Sequence, residues 1–273
     1  MMAAEFKSLS GHVSGSDIWD SLRQAAVVSA NEMRKFLRGK KLLLFAAMVA
    51  AVVALMTYAI AAFSDNTSAS FVSTAFATFA YLVVIIAAAL FAAPAVAGEY
   101  EDRTALILFT RPIGKMSIFL GKTAAALLVT MVFTAVYYCV SAVLSAAICG
   151  GVAGNHWASM GLALAYCAAS VGIAMLFSVV LRRSSTAVVM TIIFLTLIAG
   201  VLTNVFEIGG IEDPWYLLEY CSDDIVFAID GTFDMMGTQY VRDVDLMRSA
   251  AVMVIWGLAA WALGYLAFRK KEY

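Results

Sequence analysis

Residues 98–122 read GEYEDRTALILFTRPIGKMSIFLGK, with seven charges among 25 residues. An uncharged apolar run stands on each side, Phe71–Ala97 before it and Thr123–Ile148 after it. About 20 apolar residues cross the hydrocarbon core of a bilayer. The stretch is therefore a polar connection between two membrane spans, and the fold follows from extending that reading along the chain.

The chain has 273 residues, of which 63% are apolar and 14% charged. Soluble domains carry about a quarter charged residues. Six apolar runs are long enough to span: Leu42–Phe63, Phe71–Ala97, Thr123–Ile148, Ala158–Leu181, Thr186–Phe206 and Ser249–Phe268. None of the six contains Asp, Glu, Lys, Arg or His. They lack the alternation of a membrane barrel, so the expected class is an all-α membrane protein.

Lys and Arg set the orientation. Of 18 such residues, 16 fall in residues 1–41, 98–122, the loop holding Arg182 and Arg183, and the tail after 268. Only Arg242 and Arg248 fall on the opposite side. An even number of spans puts both termini on one side, and the bias makes that side the cytoplasm. The acids lean outward, with 11 of 19 on the outer side. The formal charge of −1 thus divides into +8 inside and −9 outside. A basic inner face suits an anionic leaflet, and because these bases flank spans, no nucleic-acid partner is expected.

Residues 1–15 are polar and predicted to be disordered. Residues 16–41 follow as an amphipathic helix on the inner membrane surface. Ser16 is its N-cap, acids stand in its first turn and bases at its far end. Ile18, Leu22, Ala25, Ala26, Met33, Phe36 and Leu37 recur at helical spacing. Trp19, Arg34, Lys35 and Arg38 are its candidate interaction residues, and a simple membrane anchor explains the same pattern. The first 40 residues hold no apolar core of the length a cleavable signal needs.

The six-helix domain then covers 42–268 and leaves a cytoplasmic tail at 269–273. Two outer connections are short. The third, 207–247, is about forty residues and too long for a plain connector. Its PWYLLEY and DDIVFAI stretches read as short helices dipping into the outer interface, with Trp215 and Tyr216 at headgroup depth. Its ten acids match no calcium-loop spacing. Cys139, Cys149, Cys167 and Cys221 show no metal-ligand spacing, and only Cys149 and Cys221 are placed to pair outside the membrane.

Within 98–122, Gly98 ends the apolar run. Glu99 and Arg103 stand four apart, acid first, a favourable helical pair. Leu106 to Phe109 form an apolar patch. Pro112 and Gly114 break the helix, and Lys115 restarts it into the third span. Charge beside apolar surface suits a helix laid in a protein groove. Gly121-Lys122-Thr123 mimics the end of a phosphate-binding loop, but Met116 stands where the first Gly is required.

The order GEYEDRT, LILFTRPIGK, IFLGK resembles the cytoplasmic signature of type 2 ATP-binding-cassette permeases. Glu99, Glu101, Thr104, Arg111, Pro112, Ile113, Gly121 and Lys122 sit on its positions. Arg103 replaces the commoner Gly, and Gly114 sits where Ser is frequent. The resemblance implies an N-terminal cytoplasmic elbow helix, six spans, inward termini and a helical outer excursion between spans five and six. It implies a coupling helix docked on a separate cytoplasmic ATPase, present in two copies. Glu99, Glu101 and Arg103 would be docking charges, Leu106 and Phe109 apolar anchors, and Thr104, Arg111 and Pro112 the rest of that segment. ATP and Mg would bind the partner, with no catalysis or cofactor on this chain. A second permease copy or a related permease would complete the pathway in the plasma membrane.

The uncharged spans argue against ion carriers and proton pumps, and His12 and His156 lie outside the runs, away from any intramembrane catalytic set. They favour a permease exporting an amphiphilic or apolar cargo. A six-span scaffold without transport is the competing reading. Pro94 is a candidate kink in span two.

Overall fold

The computed structural model describes residues 15–63, 68–101, 114–209, 213–235 and 238–270. Helix α1 spans Gly15–Arg38, and Gly39 separates it from α2, Lys40–Phe63. Then come α3 (Ala69–Phe91), α4 (Pro94–Glu101), α5 (Lys115–Cys149) and α6 (His156–Val180). Helix α7 (Ser184–Ile193) runs through a π-helical turn, Phe194–Ile198, into α8 (Ala199–Ile208). Helix α9 (Leu218–Asp230), the strands β1 (Thr232–Met235) and β2 (Thr238–Val241), and α10 (Leu246–Lys270) complete the order. Among the described residues, six helical stretches are long and apolar enough to cross a membrane: α2, α3 with α4, α5, α6, α7 with α8, and α10. The expected helical class holds, with one exception among the described residues, the antiparallel β1–β2 hairpin.

The helices outrun the apolar runs. Span three starts at Lys115, eight residues before its first membrane residue Thr123, so Lys115 and Lys122 belong to the same 35-residue helix. His156 opens span four and is buried. A helix does not end where hydrophobicity ends; it ends where backbone donors find another partner.

Helix α6 is the central span and packs against α3, α5, α7, α9 and, most extensively, α10. Hydrophobicity alone does not drive spans together in lipid, so close approach and internal polar satisfaction matter more. A Cβ on Gly257 of α10 would stand 2.6 Å from the Ala168 carbonyl of α6, so this crossing tolerates no side chain there. On the other flank, Phe45, Phe91 and Phe133 join α2, α3 and α5, with ring centroids 4.8 to 6.4 Å apart. Thr57, Thr130, Thr134 and Thr191 each donate their hydroxyl to the carbonyl four residues earlier. That removes a bare polar group from an apolar setting.

Span two is interrupted where Pro94 stands. Helix α3 stops at Phe91, Ala92 and Ala93 form a turn, and Pro94 is the first residue of α4. Pro has no N–H and is pre-set for a first helical position. The Ala95 amide donates to the Ala92 carbonyl at 3.1 Å, and those of Val96 and Ala97 donate to the Ser178 hydroxyl of α6 at 2.8 and 3.1 Å.

The described part of the 207–247 connection contains one 13-residue helix, α9, where two short ones were expected. It packs on α3, α6 and α10, and Leu218, Tyr220, Cys221, Ile225 and Ile229 are buried. All four cysteines are free, and Cys221 donates its thiol to the Trp215 carbonyl at 3.2 Å.

Candidate functional site

Three elements meet around one lysine. Helix α1 lies across the start of α5, and a Cβ on Gly121 would stand 2.6 Å from the Ala25 carbonyl. That contact brings Glu32 of α1 over the next residue of α5, Lys122. Its ammonium bonds Glu32 Oε1 at 2.8 Å and Glu99 Oε1 of α4 at 2.5 Å. The Lys122 side chain is 2% exposed. Lys35 bonds the same Glu32 oxygen from outside at 3.0 Å. Burial alone would raise the Glu32 carboxyl, but Lys122 and Lys35 outweigh it and hold the group below its ordinary value. A buried charge cluster contributes little net stability over an apolar substitute, yet it is strict about geometry.

Glu101, the last described residue before position 114, reaches a fourth element. Its Oε2 accepts the Ser184 amide at 3.0 Å and the Ser184 hydroxyl. A carboxylate on the first amides of α7 satisfies orphan donors and meets the positive end of the helix dipole. The two acids that open the 98–122 stretch therefore hold α1, α5 and α7 onto the Glu101 end of span two. Glu99 is half-buried beside Lys122, while Glu101 holds Ser184 at an exposed position.

Arg103, Thr104, Leu106, Phe109, Arg111 and Pro112 lie outside the described residues. What is described is the frame that carries them: α4 enters the segment at Glu101, and α5 leaves it after Gly114. Of the candidate residues on α1, Trp19, Arg34, Lys35 and Arg38 are all exposed. Trp19 is 75% exposed, and Leu22 and Leu37 are also uncovered, while Ala25 and Glu32 face the bundle. The apolar positions of this helix thus divide between a protein contact and an open face.

Sequence reasoning missed Glu32, Ser178 and Ser184 as members of this junction. Glu32 sits in a helix dense with charge and carries no local mark. Ser178 and Ser184 are single hydroxyls in apolar surroundings. Their roles come from helices that cross far from them in sequence. Lys122 was visible as part of the signature, but its two partners were not.

The 207–247 connection has its own polar contacts. Asp224 of α9 accepts from Ser249 Oγ at 2.5 Å and from Arg242 at 3.3 Å. Arg242 also stacks 3.9 Å over the Tyr220 ring. Among the described residues no group of three or more metal-ligating side chains gathers.

A family model described as ABC-2 family transporter protein matches residues 26–273. A comparison with curated proteins finds no match. The matched region takes in the later part of α1, all six span-forming stretches and the Lys122 junction. The chain belongs to the ABC-2 transporter family, as one of its membrane permeases.

Proposed function

We propose that this permease exports an amphiphilic or apolar cargo across the plasma membrane, driven by a separate cytoplasmic ATPase seated on residues 98–122. Two ATPase copies hold ATP and Mg, and this chain performs no hydrolysis. A second permease copy, or a related permease, closes the pathway, and both termini face the cytoplasm. The observation that carries this reading is the Lys122 junction. Glu99 and Glu101 bind α4 to α1, α5 and α7. A push on the segment between α4 and α5 is thereby delivered to three spans and to α1 together. A ligand shifts a conformational equilibrium only by contacting its states differently, and a rigid junction of this kind supplies that leverage. The uncovered Trp19, Leu22 and Leu37 support a helix resting on the inner leaflet.

The test is co-purification with the ATP-binding subunit in mild detergent, followed by ATP hydrolysis. Arg103→Ala with Phe109→Ala should release the ATPase. Lys122→Met should retain it while uncoupling hydrolysis from the permease. If wild type retains no ATPase, the permease reading gives way to a scaffold. If both variants behave as wild type, docking lies elsewhere, with α1 as the next surface.

A further inference from the structure

Helix α1 meets two spans at the level where each becomes apolar. At its C-terminal end only Gly39 separates it from α2, whose first residues Lys40 and Lys41 precede the apolar run from Leu42. Earlier in α1, the Ala25 carbonyl faces Gly121 of α5, just before the apolar run from Thr123. The two contacts are about fourteen residues apart along α1, or roughly 20 Å at 1.5 Å per residue. A helix held at one depth at two points that far apart lies along the membrane surface and not through it.

The helix carries three stripes at helical spacing. Ala25 and Glu32 are buried and face the bundle. The next stripe holds Trp19, Leu22, Ala26, Ala30 and Leu37, all exposed. Beside it run Arg23, Arg34 and Arg38, also exposed. Asp20 is the one exposed acid among the described side chains of α1, since Glu32 is held by Lys122 and Lys35. An apolar stripe with Trp and Leu, bordered by bases, is the pattern of a helix seated in the headgroup layer. A zwitterionic surface would seat the apolar stripe but give the three arginines no net opposite charge. An anionic surface complements both.

We propose that α1 docks on anionic lipid headgroups, with Arg23, Arg34 and Arg38 on the phosphates and Trp19, Leu22 and Leu37 at the acyl boundary, and that this contact holds Glu32 on Lys122. The proposal deepens the reading of α1 as a helix resting on the membrane and relies on it for the position of the helix. A guanidinium offers paired N–H donors that match phosphate oxygens. A free phosphate would use the arginines alone, whereas a lipid uses the apolar stripe beside them as well. A helix anchored along that stripe resists rolling, so its bundle face stays aligned with α5. A ligand stabilises the state that it binds. Lipid charge therefore sets how firmly the Lys122 junction is closed, and with it the frame that carries the segment between α4 and α5.

The experiment places the full chain in nanodiscs of phosphatidylcholine, with or without phosphatidylglycerol. It follows backbone hydrogen exchange in α1 and in residues 115–122 of α5, with α6 as the internal reference. In wild type, phosphatidylglycerol should slow exchange in α1 about tenfold, the effect expected of roughly one to two arginines near a charged surface. Exchange in residues 115–122 should slow with it, while α6 stays unchanged. Added salt should shrink the difference. Arg23→Gln with Arg34→Gln and Arg38→Gln should erase it, and an unchanged α6 shows that this variant is folded. Glu32→Gln should keep the slowing in α1 and lose most of it in residues 115–122. Equal α1 exchange in the two bilayers overturns the proposal, and so does a triple variant that responds as wild type does. Inorganic phosphate added to phosphatidylcholine nanodiscs separates the two phosphate sources; if it slows α1 as phosphatidylglycerol does, lipid docking is overturned. An α1 that ignores lipid charge while the triple variant loses the co-purified ATPase is a protein-docking surface, which also overturns it. A full response of residues 115–122 in Glu32→Gln overturns the route through Lys122. The exchange measurement uses no ATPase, so its failure leaves the co-purification result on which the permease reading stands untouched.

Discussion

Lys122 lies between Glu32 and Glu99, 2.8 and 2.5 Å away, and is shielded from water. Replacing it by Met leaves the Glu32 and Glu99 carboxylates facing each other without the ammonium between them. The expected loss is about 3 kcal/mol, the cost of breaking a buried pair from one side, read as a lowered midpoint of thermal unfolding in detergent. Adding Glu32→Gln and Glu99→Gln to Lys122→Met should recover part of the loss, because the uncompensated charge is then gone. Glu32 also has a pH signature. Its carboxyl is held below the usual 4.5, so its stabilisation is complete above 4.5 and fades as pH falls through the folded value. Between about pH 6 and about pH 3.5, wild type should lose more thermal stability than Glu32→Gln. Equal losses would detach Glu32 from the acid sensitivity of the junction.

Span two shows how a broken helix is tolerated. Pro94 ends the regular bonding, and Ser178 accepts the amides of Val96 and Ala97. Ser178→Ala leaves both without their acceptor in a buried setting and is expected to cost about 2 kcal/mol, seen as a drop in unfolding temperature. Pro94→Ala with Ser178 retained should cost less, since it adds a donor and removes no acceptor. The α6–α10 crossing gives a second prediction at this scale. Gly257→Val places a branched side chain against the Ala168 backbone, where a Cβ alone already stands 2.6 Å from its carbonyl. Backbone offers no rotamer to relieve the clash, so the helices must separate. The measurement is gel filtration in mild detergent, with loss of the single monodisperse peak expected for Gly257→Val and its retention for Gly257→Ala being less complete than wild type.

For the molecule as a whole, the charge asymmetry makes a prediction about topology. In a background without the four native cysteines, Asp243→Cys should react with a membrane-impermeant thiol reagent in intact cells. Arg183→Cys and Arg269→Cys should react only after permeabilisation. Reaction of Arg269→Cys in intact cells would reverse the orientation read from Lys and Arg. Span count and order could be read from the sequence because each span is a contiguous stretch that must be apolar along its whole length. The signature at 98–122 was legible for a similar reason, since its residues are neighbours in the chain. The role of Glu99 was not. In the sequence it stands next to Glu101 and Arg103 as one charge among several, and only the packing of α5 and α1 turns it inward.

The same division holds for the chain as a whole. The sequence by itself determined that this is a six-span helical membrane protein of the type 2 permease pattern, with an acidic connection at 207–247 and apolar runs free of charge. Hydrophobic length, charge bias and turn residues are local quantities, and they suffice for that. Tertiary structure alone decided that Lys122 is shared between Glu32 and Glu99, that Ser178 accepts the Val96 and Ala97 amides beyond Pro94, and that Glu101 holds Ser184. Each of those is a meeting of groups from crossing helices. Which faces meet is set by steric closeness at positions such as Gly121 and Gly257, where backbones touch, and by the need to satisfy polar groups away from water.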